Sequence, residues 1–173
     1  MRRQTAKPAP KFIDPFGKRR HDHRDCQVAA LDTAERLCSL RGARLTYLRR
    51  RVLELIWRSH EPVGAYAILD ALREEGRGAA PPTVYRALEF LSEQGLIHRI
   101  ESRNAYVGCA DPEHGHTSQF LVCGRCGAAS ELHDARIAGA IADRTREVGF
   151  RVQHLIVEAI GLCPSCAAQM PAA

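Results

Sequence analysis

The sequence predicts an α+β fold in two parts, a winged helix-turn-helix followed by a small α/β module. Three observations predict it. Helical periodicity runs through four successive segments between Val28 and Gly95, then gives way to two short strand-like runs, which is the order of a winged helix. Behind them the pattern becomes strand, strand, helix, strand. Two Cys-x-x-Cys pairs, Cys123/Cys126 and Cys163/Cys166, bracket this second part, so their meeting would close it.

Residues 1–26 carry a net charge of +5, contain Pro8, Pro10, Pro15 and Gly17, and have few apolar side chains. They are expected to form a disordered basic arm. The winged-helix part is expected over 27–108. Its first helix begins near Val28 with Leu31, Ala34, Leu37, Cys38 and Leu40 at i, i+3, i+4 spacing, and Gly42 supplies its C-cap. Thr46 is the N-cap of a second helix with an apolar face of Leu48, Val52, Leu55 and Ile56. Pro62 and Gly64 mark a turn before a third helix carrying Tyr66, Ile68, Leu69 and Leu72. Pro81 and Pro82 open a fourth helix that Gly95 ends, with Val84, Leu88 and Leu91 as its buried stripe. Strands Leu96–Ile100 and Asn104–Gly108 form the wing around a polar turn.

In a winged helix-turn-helix the helix before the wing enters the DNA major groove by its N-terminal end. Thr83, Tyr85 and Arg86 lie at that end of the fourth helix, away from its buried stripe, and are the candidate DNA contacts. Arg49 and Arg50, in the first turns of the second helix, are candidate phosphate contacts. Charge agrees: residues 27–106 have a net charge of +2 and residues 107–173 of −2, so a polyanion would meet the first two thirds.

A loop over 109–118 is expected to act as a hinge, and 119–173 as a dimerisation and zinc-binding module. Its strands are Gln119–Val122, Ala129–Leu132 and Arg151–Ile160, with a helix carrying Ile137, Ile141, Thr145 and Val148 that Gly149 stops. A sheet edge or the apolar helix face would serve a dimer. Four thiolates on two knuckles, each beside a short apolar run, meet the requirement of a closed tetrahedral zinc site, and zinc there would contribute folding energy. The alternatives at these positions are two disulfides or reduced core cysteines. Seven cysteines is an odd number, and their spacing suits metal ligation in a reducing cytoplasm better than a disulfide framework. No apolar run is long enough to cross a membrane, and the basic start has no apolar segment behind it of the kind a secretory signal needs.

From Pro82-Thr-Val-Tyr-Arg-Ala-Leu88 onward the sequence resembles the ferric uptake regulator family of metal-sensing repressors. The likeness continues through Leu91–Gly95, Tyr106-Val-Gly-Cys109, His114-Gly-His116 and both knuckles, covering about residues 30–167. Within the family it most resembles the zinc uptake regulators, by Pro81-Pro-Thr-Val-Tyr-Arg86, His98, Cys109 and Gly115-His-Thr117. It departs at Tyr47, where the family often has proline, and in its short His114-Gly-His116 run, which the iron-sensing branch usually has longer.

The resemblance implies a homodimer that binds operator DNA through its winged helices, with metal setting the angle between domains. It implies a second, sensing zinc site of His98, Cys109, His116 and Glu131, hence two zinc ions per chain. His98 and Cys109 flank the wing, His116 lies in the hinge and Glu131 in the second module, so bound metal would tie one part to the other. An additional metal site at His114, His133 and His154, with Glu113 nearby, is a further candidate. The resulting expectation is a cytoplasmic, zinc-responsive repressor of zinc-uptake genes. Other readings are an iron, manganese or peroxide sensor of the same family, a protein-binding adaptor, or a zinc enzyme. Four protein ligands close a metal to water, and no nucleophile or base motif stands out, which argues against the enzyme.

Overall fold

The computed structural model describes residues 11–12, 16, 23–59, 61–76, 78, 80–113 and 117–169. Helix α1 (His23–Leu40) turns Leu31, Ala34, Leu37 and Cys38 into the core, at the spacing a helix needs to bury one stripe. It starts before Val28 because its first turns are polar and mostly exposed, and so give no apolar period to read. Gly42 ends it at φ +64°, and Ala43 donates its N–H back to the Cys38 carbonyl at 2.8 Å.

Helix α2 (Tyr47–Ile56) is capped by Thr46, whose hydroxyl accepts the Arg49 N–H at 3.5 Å, and it buries Val52, Leu53, Leu55 and Ile56. After strand β2 (Val63–Gly64), helix α3 (Ala65–Glu74) buries Ala65, Ile68, Leu69 and Leu72. Tyr66, expected on that face, is exposed; Ala65, three residues before Ile68, takes the inward position. Helix α4 (Pro81–Glu93) buries Val84, Ala87, Leu88 and Leu91 against α2 and α3. At Gly95, φ is +66°, which turns the chain directly into strand β3 (Ile97–Ile100). A single 3₁₀ turn, Glu101–Arg103, then leads through Asn104 in the left-handed region (φ 46°) to strand β4 (Ala105–Gly108). The strands form a small sheet in the order β2-β4-β3. This is the winged helix-turn-helix.

The second part contains β5 (Ser118–Cys123), β6 (Ala129–His133), helix α5 (Ala135–Glu147), β7 (Ile156–Gly161) and a last helical turn α6 (Pro164–Ala167). Strand β5 pairs antiparallel with β6 and parallel with β7, the crossover being made by α5. Residues 151–155, expected within the last strand, lie outside it. A strand of two residues, β1 (Lys11–Phe12), pairs with β6, completing the order β1-β6-β5-β7. With the early start of α1, this corrects the expectation of a wholly disordered arm over 1–26: an unpaired β6 edge offers backbone groups that two arm residues satisfy.

The first part has the main apolar core, the knuckle cysteines form a small cluster in the second, and a further cluster lies where the two parts meet. There Ile100 and Val107 of the wing pack with Phe120, Val122 and Ala129 of the second sheet. Helix α5 has no buried residue, although Ile137 and Ile141 stand at helical spacing. Beside it Val148, Phe150, Ile160 and Leu162 are exposed. No described helix is long and apolar enough to cross a membrane.

Candidate metal centres and the domain joint

The two knuckles meet. Strand β5 ends at Cys123, and a tight turn in which Gly127 N–H bonds the Cys123 carbonyl (2.9 Å) carries Cys126 round beside it. Strand β7 runs parallel to β5 and delivers Cys163 and Cys166 to the same end. The four sulfur atoms lie within 4.8 Å of one another, and Cys126 Sγ is 3.7 Å from Cys163 Sγ. A tetrahedral zinc with Zn–S bonds of about 2.3 Å needs sulfurs roughly 3.8 Å apart, so the set fits. Backbone N–H groups aim at the first sulfur, including that of Cys163 at 3.3 Å. Those of Cys126 and Cys163 pull the Cys123 thiol down to about 5, while contact with Cys163 and burial push Cys166 up to about 12. A divalent ion bound among them would favour the thiolate form that ligation needs.

The second centre lies in the joint between the two parts. Register places His98 on β3 opposite Val107 on β4, and Cys109 follows β4 directly, its N–H bonded to the Leu96 carbonyl at 3.0 Å. Glu131 stands on β6, paired with Phe120 on β5. His98, Cys109 and Glu131 offer ligand atoms within 4.8 Å of one another, all buried or nearly so. His98 Nε2 is 3.1 Å from Glu131 Oε1, and its ring meets Phe120 edge-on at 5.5 Å. Its other nitrogen, Nδ1, is 2.9 Å from the Ser118 hydroxyl. Ser118 thus fixes the ring so that Nε2 faces the site, the arrangement that ligating histidines commonly have. Burial alone would lower the His98 pKa. Hydrogen bonds to Cys109 and Glu131, with the Glu131 charge, outweigh it and raise it to about 9. One thiol, one imidazole and one carboxylate, buried and converging, suit zinc; a hard oxygen-seeking metal would not select the thiol.

Trp57 packs on Gly108, the residue before Cys109. Its indole lies so close to Gly108 that any side chain there would collide: an added Cβ would be 2.2 Å from Cε2. Neither this contact nor Ser118 was legible in the sequence, since both are made between elements far apart in the chain. A glycine directly before a candidate ligand was the one available hint.

His114 and His116 lie outside the described residues. His133 is beside the joint, 3.6 Å from Glu131, whereas His154 is exposed; among the described residues the additional set forms no third group of three ligands. Glu113 is engaged by Arg36.

Of the candidate DNA contacts, Thr83, Tyr85 and Arg86 are exposed at the start of α4. Arg50 is held by Glu35 and by Glu54, and Arg49 lies over the Phe90 ring at 3.5 Å with Nη1 donating to the Arg44 carbonyl. Both were expected to be available for phosphate, and both have partners within the chain. The sequence puts arginines in the first turns of α2 but does not show which acidic side chains face them.

The model of the ferric uptake regulator family matches residues 40–160. The zinc uptake regulation protein of Escherichia coli (strain K12) is 42% identical over 137 residues, which are 79% of this chain and 80% of that protein. The zinc uptake regulation protein of Mycobacterium tuberculosis is 28% identical over 131 residues, covering 74% of this chain and 98% of that one. Among solved structures, a zinc uptake regulator complexed with zinc and DNA superposes with a TM-score of 0.78 at 39% identity, over 86% of this chain and 97% of that one. Holo XcZur superposes with a TM-score of 0.75 at 45% identity, over 81% and 98%. A family match over most of the winged helix and the second module, with relatives this similar, leaves one assignment: the chain belongs to the ferric uptake regulator family.

Proposed function

We propose that this protein is a zinc-responsive transcriptional repressor that binds operator DNA as a zinc-loaded homodimer and controls zinc-uptake genes in the cytoplasm. The observation that carries the reading is the buried His98–Cys109–Glu131 set, which takes two ligands from the wing and one from the second module. Relatives and solved structures that are zinc regulators, one of them bound to zinc and DNA, support it.

In this reading Cys123, Cys126, Cys163 and Cys166 hold a structural zinc and close the second module. His98, Cys109 and Glu131 hold the sensing zinc with His116 as fourth ligand. His116 is carried over from the family resemblance, and in the sequence it stands two residues before Ser118, which touches His98. Zinc bound at the sensing set would join the wing to the second module across the joint. His98 is aimed by Ser118, Cys109 follows Gly108, on which Trp57 packs, and Glu131 stands on the paired strand β6, so each ligand is held by its own element. The domain arrangement it favours is selected by its differential affinity for that state.

Dimerisation uses the exposed apolar surface around α5 and β7, including Val148, Phe150, Ile160 and Leu162. Among the described residues strand β7 is an edge of its sheet and can add a second copy. Thr83, Tyr85 and Arg86 of each α4 then enter successive major grooves, with Arg86 reading guanine edges or phosphate. Arg49 and Arg50 approach the backbone once released from their partners. The domain division is an arm at 1–26, a winged helix at 27–108, a hinge at 109–118 and the dimer module at 119–173.

The test mixes the protein with sheared genomic DNA of its source, with zinc buffered high or held low by a chelator, and sequences what is retained. Zinc-dependent enrichment of inverted repeats upstream of transporter genes is expected. Cys109→Ser should abolish the zinc dependence while leaving the structural site filled. Retention that ignores zinc, or no enrichment in either condition, would overturn the reading.

A further inference from the structure

Three residues stand side by side across the second sheet. Register pairs Glu131 on β6 with Phe120 on β5, and Phe120 with Glu158 on β7. Side chains in register on neighbouring strands share a face, and this face receives the wing. His98 of β3 meets Glu131, Ile100 packs in the cluster with Phe120, and the turn after β3 reaches Glu158. There the Glu158 carboxylate accepts two backbone N–H groups, that of Glu101 at Oε1 (2.6 Å) and that of Ser102 at Oε2 (3.1 Å). The next residue continues the contact: Arg103 Nη2 donates to the Cys123 carbonyl at 2.6 Å, its guanidinium lying over Gly127 in the first knuckle.

The sensing set ties the wing at one end of this row, and a small error of direction there grows with distance along it. Fixing an angle needs a second tie at a distance. From Glu131 to Glu158 is two strand spacings, roughly 9–10 Å, and α4 packs on β3 of the same wing. We propose that Glu158, aided by Arg103, is the positioning residue that sets the angle of the winged helix against the second module, independently of the sensing ligands His98, Cys109 and Glu131. The inference rests on the repressor reading for its functional consequence, but the contact itself does not. A carboxylate taking one N–H on each oxygen is a charge-assisted pair of bonds with defined direction, so it holds orientation as well as distance. Burial opposes ionisation of Glu158, yet the hydrogen bonds from Ser102 and Glu101 prevail and hold its carboxyl below the usual range, so the charged form that makes both bonds is the one present. Because Glu158 lies on β7, in the strand leading to Cys163, and Arg103 grips Cys123, the wing is registered on the structural-zinc end of the module. The sensing set then supplies the regulated tie and Glu158 the constant one.

The experiment uses full-length, zinc-loaded protein with Glu158→Ala, Glu158→Gln and Arg103→Met. Zinc per chain and dimer mass are checked first. Hydrogen exchange of the peptide spanning 99–104 reads the latch directly. Affinity for a duplex recovered in the zinc-dependent selection above, at saturating zinc, reads its consequence. Expected in Glu158→Ala are unchanged zinc content, faster exchange at Glu101 and Ser102, and operator affinity lower by about tenfold, within the range typical of couplings between sites. Glu158→Gln should fall between it and the parent. Should Glu158→Ala not fold, Glu158→Gln and Arg103→Met carry the same comparison. Unchanged exchange at both amides, or faster exchange with full operator affinity, would overturn the proposal. If the parent shows no zinc-dependent DNA binding, the repressor reading fails, while the exchange measurement still decides whether the latch exists.

Discussion

Gly108→Ala should uncouple the wing from the sensing set without touching a ligand. The added methyl would lie 2.2, 2.4 and 2.5 Å from Cε2, Nε1 and Cζ2 of Trp57. Relief requires a displacement of about 1 Å or more, since carbon atoms pack at roughly 3.5–4.0 Å. Trp57 cannot simply retreat, because its backbone N–H closes α2 on the Leu53 carbonyl at 3.0 Å. Either the indole rotates off the core or the end of β4 moves, and overpacking of this kind costs about 1–3 kcal/mol. Cys109 is the next residue, and a metal site tolerates deviations of only about 0.2 Å in ligand distance. Zinc affinity at the sensing set should therefore fall while the four-cysteine site stays filled. The assay is a double-mutant cycle with Trp57→Ala, read by stability to denaturant and by zinc competition. Trp57→Ala alone loses packing, but on that background Gly108→Ala should cost little, giving a coupling of about 1–3 kcal/mol. Emission of Trp57, the single tryptophan, should shift in Gly108→Ala. An equal cost of Gly108→Ala with and without Trp57, or no cost at all, would refute the reasoning.

Ser118→Ala removes the hydroxyl at His98 Nδ1 and should weaken zinc at the sensing set by about 10–100-fold, with the structural zinc retained; competition against a calibrated chelator checks it. Because the His98 pKa is raised to about 9, its interaction with Glu131 in the metal-free protein is fully present below the ordinary histidine value and is lost as pH rises through about 9. Zinc must displace that proton together with any on the Cys109 thiol, so its affinity there should rise with pH over neutral pH; a slope left unchanged by His98→Ala would show that His98 is not a ligand. Arg86 is exposed and makes no ion pair among the described residues, so Arg86→Ala should cost operator affinity about 1–3 kcal/mol with zinc binding intact, read by titration of the selected duplex.

What the sequence displayed and what it concealed divide along one physical line. Periodicity, caps and paired cysteines are local signals, and the elements that depend on them stand where they were expected: Thr46 caps α2, Gly95 turns α4 into the wing, and two knuckles converge. His98, Cys109 and Glu131 were reachable because few residue types ligate metal and the family likeness singles these out. Partners across long separations left no local trace. Nothing near Glu158 marks it as an acceptor for amides 56 and 57 residues earlier, and nothing near Arg50 announces Glu35. The apolar period of α5 was correct as a helix yet could not say that its face stays uncovered within one chain. Contacts hidden in this way are those that set angles between elements, because an angle is a property of two segments at once. In a protein whose proposed activity is to change the angle between two domains, the ligands can be read from one strand at a time, but the geometry they control can be read only from the row Glu131–Phe120–Glu158 on which the wing rests.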